Sequence, residues 1–436
     1  MGEAQNTIQT LLYTEQTYPE VTMPDGSKKK ANSALYDEVI SGHYDDATKE
    51  MVSNAHNSAL KANINTYTAL LNANAKELLS SAKLSKMDSV LQYQLEINDI
   101  DPEIYENIKK ATHDMLPAYK KYIAEIKARS KSGKLHFYDT LNSMSTYKMS
   151  LTYDEACDKM IETLSILGED YVQVVTDMVK SGQIDVYPTE NKRSGAFMMG
   201  SYDMNVMPFI LTNFSGSFES LSTLCHEMGH AVYEYKSERN EKNNLSNMFP
   251  TTFTHEVASI SNEMLLNMQG YKNAKTDEEK AFYLDNIIIT NASSVIRQML
   301  YSEFEEYFYG VVEKGEALSA EDMCNKWMEL NKEYYGEDVI FPEGFETRWA
   351  AIPHFYYGYY VFKYATSSAY ATTIAQRISD GKEGALEGYK EFLTLGSSDS
   401  PAKLLKVAGV DPLDKTTYDD FVKTFEGMIN ERIKIK

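Results

Sequence analysis

Three features of the chain predict a mostly α-helical fold. Only 11 prolines occur in 436 residues, so long stretches run without a helix breaker. Four of them (46–82, 103–130, 153–181 and 277–313) place apolar residues at three- and four-residue spacing among Lys, Glu, Asp and Asn, as in helices with one buried face. Strand-like patterns are confined to two short regions. An apolar share of 43% and a charged share of 25% belong to a folded protein with an ample core.

Taken in order, Leu12–Tyr13 and Val21–Thr22–Met23, followed by Pro24–Asp25–Gly26, read as a hairpin or extended arm. Helices follow, and Pro117 is expected to kink or split the second of the four stretches. In the third, Met160, Ile161, Leu164 and Leu167 and then Val172, Val175 and Met178 mark the buried face. Thr152 and Asp154 signal its start, and Thr276 and Asp277 that of the fourth. From Gly182 to Gly216 the character changes. Ile184–Asp185–Val186–Tyr187–Pro188, Ser194–Gly195–Ala196–Phe197 and Pro208–Phe209–Ile210–Leu211–Thr212–Asn213–Phe214 are short strand-like runs between turn residues, which predicts a small sheet between helical blocks at 1–190 and 217–436. The 32 tyrosines and 21 methionines are read mainly as core fillers.

Charge excludes whole classes of partner. With 43 Lys+Arg against 64 Asp+Glu, the net charge is −21, which argues against nucleic acid and anionic membrane surfaces. No apolar run approaches the ~20 residues of a membrane span, and the start, MGEAQNTIQTLLY, lacks the basic-then-apolar order of a leader. Three well-separated cysteines, Cys157, Cys225 and Cys324, do not form a disulfide framework and point to a reducing compartment. A cytoplasmic location is expected.

The sequence His226–Glu227–Met228–Gly229–His230 carries the chemistry. Residues four apart project from one helix face about 6 Å from each other, so His226 and His230 can grip a single ion. Glu227 lies on the flank, able to reach a water on that ion without ligating it. This is the H-E-x-x-H arrangement, two zinc ligands with a general base between them. A third ligand is needed. A further His six residues after His230 would make a metzincin, but that position is Lys236. The remaining candidates lie in Thr251–Leu266, a second helix starting near Thr251–Thr252, where His255, Glu256 and Glu263 compete. Charge favours Glu256, because two His and one carboxylate leave a net positive charge on zinc. Glu263, seven residues on and on the same face, could support a ligand.

The segments HEMGHAVYEY (His226–Tyr235) and FTHEVASISNEMLL (Phe253–Leu266) resemble the oligoendopeptidase F family of thimet-oligopeptidase-like metallopeptidases. The resemblance extends over Arg193–Phe197, Tyr202–Asp203, Pro208–Leu211, Arg297–Gln298, Glu303–Glu305, Trp349–Tyr357 and Leu404–Pro412, and so over most of the chain. It implies that Glu256, the Glu before V-A-S, completes a site for one Zn²⁺ per chain, and that short peptides are the substrates. The implied architecture is a two-lobed helical metallopeptidase with a deep substrate cleft and a small β-sheet next to the HExxH helix. Lobes at 1–190 and 191–436 are expected, the second carrying the zinc. Members carry an additional helical region before the point where this chain begins.

A tyrosine-rich segment, Ile352–Tyr364, supplies candidates for the developing oxyanion. A Tyr hydroxyl stays protonated at neutral pH and can donate to it. Tyr357, Tyr360 and Tyr364 recur at three- and four-residue intervals, so a helix would put them on one face. The related peptidases use a His and two Tyr in such a segment. Tyr357 with Tyr364, seven apart, resembles their spacing, so the resemblance implies that His354 and Tyr364 steady the oxyanion; Tyr357, and Tyr360 from the shared face, are expected to meet the substrate.

Three further residues draw notice. Gly229 inside a helix costs about 1 kcal/mol relative to Ala, and close approach of the sheet at 208–214 or of the substrate would compensate. Cys225 is read as packing, and Arg297 as the anchor of a buried carboxylate such as Glu303. The reading is a zinc endopeptidase acting on short peptides that pair with a sheet edge around 194–214. Its alternatives are a non-catalytic helical scaffold or peptide-binding protein with a structural or vestigial metal site, and a zinc carboxypeptidase.

Overall fold

The computed structural model describes residues 2–42, 44–130, 133–193, 195–201 and 206–435. Ser194, Tyr202 and Asp203, which carry part of the resemblance, lie outside them. Among the described residues the protein is mostly helical, with two small sheets. It forms two compact units: one of Met1–Pro102, Leu116–Asn142 and Ile296–Phe362, the other of Glu103–Met115, Ser143–Val295 and Lys363–Lys436. Apolar faces pair by shape and not by chain order, so each unit gathers separate stretches of sequence. Position 190/191 falls inside the second unit.

In the first unit the predicted hairpin is β1 (Glu20–Thr22) against β2 (Lys28–Lys30), antiparallel with Val21 opposite Lys29. Its turn passes through Gly26 at φ +82°, where a side chain would be strained. Leu12–Tyr13 are not part of this arm; they sit in a π-helical turn, Leu11–Glu15, that continues the helix Glu3–Thr10. The stretch 46–82 is two helices, Asp46–Ala62 and Ile64–Leu84, parted at Asn63. The helix Pro102–Arg129 runs unbroken through Pro117. Burial of Met115, Leu116, Ala118, Tyr119 and Tyr122 around it outweighs one lost backbone hydrogen bond. Tyrosines do fill the core: Tyr67, Tyr119, Tyr122, Tyr309 and Tyr334 are each almost wholly buried. Arg297 does not pair with Glu303. It lies among Tyr36, Tyr119, Tyr301 and Tyr335, while Glu303 hydrogen-bonds Tyr334; six residues turn a helix by 600°, which leaves the two on different faces.

In the second unit the start signals work as predicted. Thr152 Oγ1 accepts from Glu155 N–H at 3.3 Å and Thr276 Oγ1 from Glu279 N–H at 3.1 Å, satisfying otherwise orphaned donors. The stretch 153–181 is interrupted at Gly168 (φ +93°) between Tyr153–Leu164 and Glu169–Lys180. The small sheet is present as β3 (Ile184–Asp185), β4 (Phe197–Met199) and β5 (Phe209–Leu211), in the order β3–β5–β4. β3 runs parallel and β4 antiparallel to β5, leaving β4 at an edge among the described residues.

Two helices follow, Phe218–Glu238 and Thr252–Asn273. Ser217 caps the first, its Oγ accepting from Ser220 N–H at 3.2 Å. The approach that Gly229 allows is to the second helix, not to the sheet or a substrate. A methyl group on Gly229 would lie 2.6 Å from Ser259 Cα and 2.7 Å from Ala258 O. Among the described residues, no helix is long and apolar enough to cross a membrane.

Gly229→Ala should therefore destabilise the fold despite the better helix former. Ala gains about 1 kcal/mol of propensity, whereas overpacking backbone against backbone costs about 1–3 kcal/mol. A fall in the denaturant midpoint, with weaker metal binding as the helices part, is the expected result; an unchanged midpoint would show that the contact can relax.

Candidate metal centre

The helix Phe218–Glu238 is buried on most sides: Leu221, Leu224, Met228, Ala231 and Val232 are inaccessible. Its polar residues are drawn into the interior with it. His226 and His230, one turn apart, place their ring centroids 4.8 Å apart and nearly perpendicular. Glu256 comes from the helix Thr252–Asn273, held against the first by the Gly229 contact. Its Oε2 lies 3.5 Å from His226 Nε2 and 3.7 Å from His230 Nε2, and the three ligand atoms all fall within 4.8 Å of one another. These separations are long for hydrogen bonds. They suit donors around one ion, since ligands about 2.1 Å from a tetrahedral zinc are about 3.4 Å apart. The donor set therefore fits a divalent metal.

Supporting contacts orient the donors. His226 Nδ1 donates to Glu263 Oε1 at 2.6 Å, and Ser222 Oγ donates to Glu263 Oε2 at 2.9 Å, so Nε2 of His226 is the atom turned toward Glu256 and free for a metal. Ser259 Oγ donates to Glu256 Oε2 at 3.2 Å. His255 faces elsewhere. Its Nε2 points to the His230 carbonyl at 3.4 Å, with its ring 4.1 Å from that of His230. Glu227 is 6% exposed and accepts the backbone N–H of Met198 on β4. Cys225 is fully buried. Burial lifts its thiol well above the usual range, and its carbonyl accepts from Asn262 Nδ2 at 3.0 Å, consistent with packing.

Electrostatics follow from burial and crowding. Burial opposes a charge on His226, but the Glu263 carboxylate, with Glu256 and Glu227 nearby, outweighs it and raises the pKa to about 9. His230 moves well below its ordinary value, first by burial and then by repulsion from His255 and His226. Burial pushes Glu227 up to about 6, and Glu256 and Glu263 add to that while His226 opposes it.

The tyrosine segment is not one helix. Pro353–Tyr356 is a 3₁₀ turn, Gly358 and Tyr359 have φ of +66° and +45°, and a helix begins only at Phe362. A right-handed helix cannot pass through two positive φ values, so Tyr357, Tyr360 and Tyr364 do not share a helix face. Instead His354, Tyr357 and Tyr360 cluster within the first unit. The His354 and Tyr360 rings stack at 5.9 Å and 14°, and Tyr357 meets them edge-on at 5.8 and 6.0 Å. Burial lowers the His354 pKa. Tyr357 Oη accepts from Gln9 Nε2 at 3.2 Å. Tyr364 belongs to the second unit, near the start of the helix Phe362–Ser379. One turn on, Ser367 Oγ donates to the Phe253 carbonyl at 3.2 Å, three residues before Glu256. Tyr364 lies one turn before Ser367 on that helix.

Residues that the motif did not disclose are Ser222, Ser259 and Met198. Ser222, four residues before His226, was within reach of the same helical arithmetic; the Met198 contact depends on tertiary packing alone.

A helical fold with a His–His–carboxylate triad on two packed helices defines a class with known members. A family model described as Peptidase family M3 matches residues 42–424. The chain belongs to that family. It is 30% identical over 435 residues to Oligopeptidase PepF of Bacillus subtilis (strain 168), covering 99% of this chain and 64% of that protein. Identity to Group B oligopeptidase PepB of Streptococcus agalactiae serotype III (strain NEM316) is 32% over 436 residues, covering 99% and 71%. The chain thus spans less than two thirds of the first relative's length. Among solved structures, oligoendopeptidase-F from Enterococcus faecium aligns with a TM-score of 0.79 at 25% identity, covering 99% of this chain and 71% of that one. The sequence resemblance to oligoendopeptidase F is borne out.

If Glu256 and not His255 is the third ligand, Glu256→Ala should bind zinc far more weakly, while His255→Ala keeps it near equimolar. Metal analysis after dialysis checks this, and the reverse pattern would move the ligand to His255.

Proposed function

We propose that the chain is a zinc-dependent endopeptidase that hydrolyses short peptides. The observation that carries this is the convergence of His226, His230 and Glu256 beside the buried Glu227. The names of the relatives support the substrate class. Three free cysteines support a reducing, cytoplasmic setting.

His226, His230 and Glu256 would hold the ion. Bound there, zinc would polarise the scissile carbonyl and lower the pKa of a water. Glu227 would accept the proton that an attacking water loses as its oxygen adds to the carbonyl carbon, then return it to the leaving amine nitrogen as the C–N bond breaks. The Met198 N–H holds the Glu227 carboxyl in one orientation. With its N–H taken by Glu227, Met198 leaves its carbonyl on the side of β4 away from β5 for an extended peptide. Tyr364 and His354 donate to the oxyanion, and Tyr357 and Tyr360 contact the substrate.

Hydrolysis of an internally quenched peptide should stop with a chelator and return with zinc. Glu227→Gln should keep zinc yet lose roughly 10²–10⁴ in kcat; joint loss of metal and activity would make it a ligand or structural residue. Peptides with blocked C-termini should still be cut, which a carboxypeptidase would not do. Tyr364→Phe should lower kcat by roughly 10²–10³, the range for one oxyanion donor, with little change in KM. Full activity in Tyr364→Phe alongside a crippled Tyr357→Phe or Tyr360→Phe would transfer the role.

A further inference from the structure

Glu305 has no part in the reaction above, yet it is wholly buried on the helix Arg297–Glu313. Its Oε1 accepts the backbone N–H of Tyr359 at 2.8 Å, and its Oε2 has no partner among the described residues. Burial raises its pKa well above the ordinary carboxylate value, opposed by that one hydrogen bond. A Met would fill the same space without the cost of burying a polar group. What Glu305 alone supplies there is an acceptor for the Tyr359 amide.

That amide sits at the most constrained point of the tyrosine segment. Tyr359 is held at φ +45°, a region that side chains disfavour. Gly358 sits at φ +66°, and a methyl group on it would lie 2.7 Å from Gln94 Nε2 and 3.1 Å from Leu78 Cδ1, so those side chains would have to shift. The Tyr359 ring stacks on Tyr309 at 5.0 Å. His354 and Tyr357 precede this reversal and Tyr360 follows it, so its shape decides how the three rings meet. Without an acceptor the Tyr359 N–H would be buried unpaired, and the backbone would relax to pair it.

We propose that Glu305 is a positioning residue: through the Tyr359 N–H it fixes the turn at 358–359 and thereby sets His354, Tyr357 and Tyr360 for catalysis. The proposal rests on the function assigned above. Its test uses the full zinc-loaded chain with Glu305→Gln, which retains a carbonyl acceptor, and Glu305→Met, which has none. Amide hydrogen exchange, zinc content, kcat and KM are measured. For Glu305→Met, exchange across 353–361 should quicken by about tenfold or more, with 218–238 and zinc content unaffected. Its kcat should fall by about tenfold or more, with KM rising as Tyr357 and Tyr360 lose their hold on the substrate. Glu305→Gln should stay close to wild type in both. If Glu305→Met does not fold, Glu305→Leu, which likewise offers no acceptor, takes its place and should show the same local quickening and kcat loss.

Wild-type exchange or wild-type kcat in Glu305→Met overturns the proposal. So does Glu305→Gln failing as badly as Glu305→Met, or exchange quickening throughout the chain with loss of zinc, which would mark a general structural role. A zinc-loaded wild-type chain that cleaves no peptide overturns the assigned function itself. Local quickening would then uphold the turn contact while ending its link to catalysis.

Discussion

Where Gly229 passes Ser259, two helices touch backbone to backbone, and the candidate metal centre depends on that contact. A methyl group there would lie 2.6 Å from Ser259 Cα, so any other residue type pushes the helices apart. Two imidazoles reach in from one helix and one carboxylate from the other, with 3.5 and 3.7 Å between the facing atoms. Metal–ligand distances tolerate only a few tenths of an ångström. The helical penalty of a glycine is thus offset by the register it permits between the two helices.

The same close packing explains the polar arrangement. Glu227, Glu256 and Glu263 crowd around two imidazoles, and burial makes each charge expensive unless it is paired. Glu263 is paired with His226 and Ser222, and Glu256 receives Ser259. Glu227 takes the Met198 amide from the sheet edge. A divalent cation among these carboxylates would relieve their mutual repulsion. The sheet and the hydroxyls thus hold side chains that would otherwise repel one another.

The tyrosine segment obeys a different logic. It is kept out of the helical state by Gly358 and Tyr359, whose positive φ values reverse the chain between two helical stretches. Side chains from sequence-distant elements pin it: Gln5 Nε2 and Asn74 Nδ2 both donate to the Tyr356 carbonyl, at 2.6 and 3.3 Å, and Glu305 takes the Tyr359 amide. Backbone strain of this kind persists only where the surroundings over-determine it.

The helical class, the start signals at Thr152 and Thr276, the hairpin turn, the small sheet and the H-E-x-x-H spacing were all legible in the sequence, because each depends on residues within a few positions of one another. Glu256 was reached only through charge and family resemblance, and its nearness to His226 and His230 is a fact of packing. Continuity through Pro117, the breaks at Asn63 and Gly168, and the reversal at Tyr359 were not legible, since local propensities there are overruled by burial and by distant partners. The compact units likewise gather stretches far apart in sequence. Short-range spacing determined which residues could carry the chemistry. Tertiary structure decided which of them meet, because distances across helices are set by the fit of buried surfaces, and no local pattern encodes that fit.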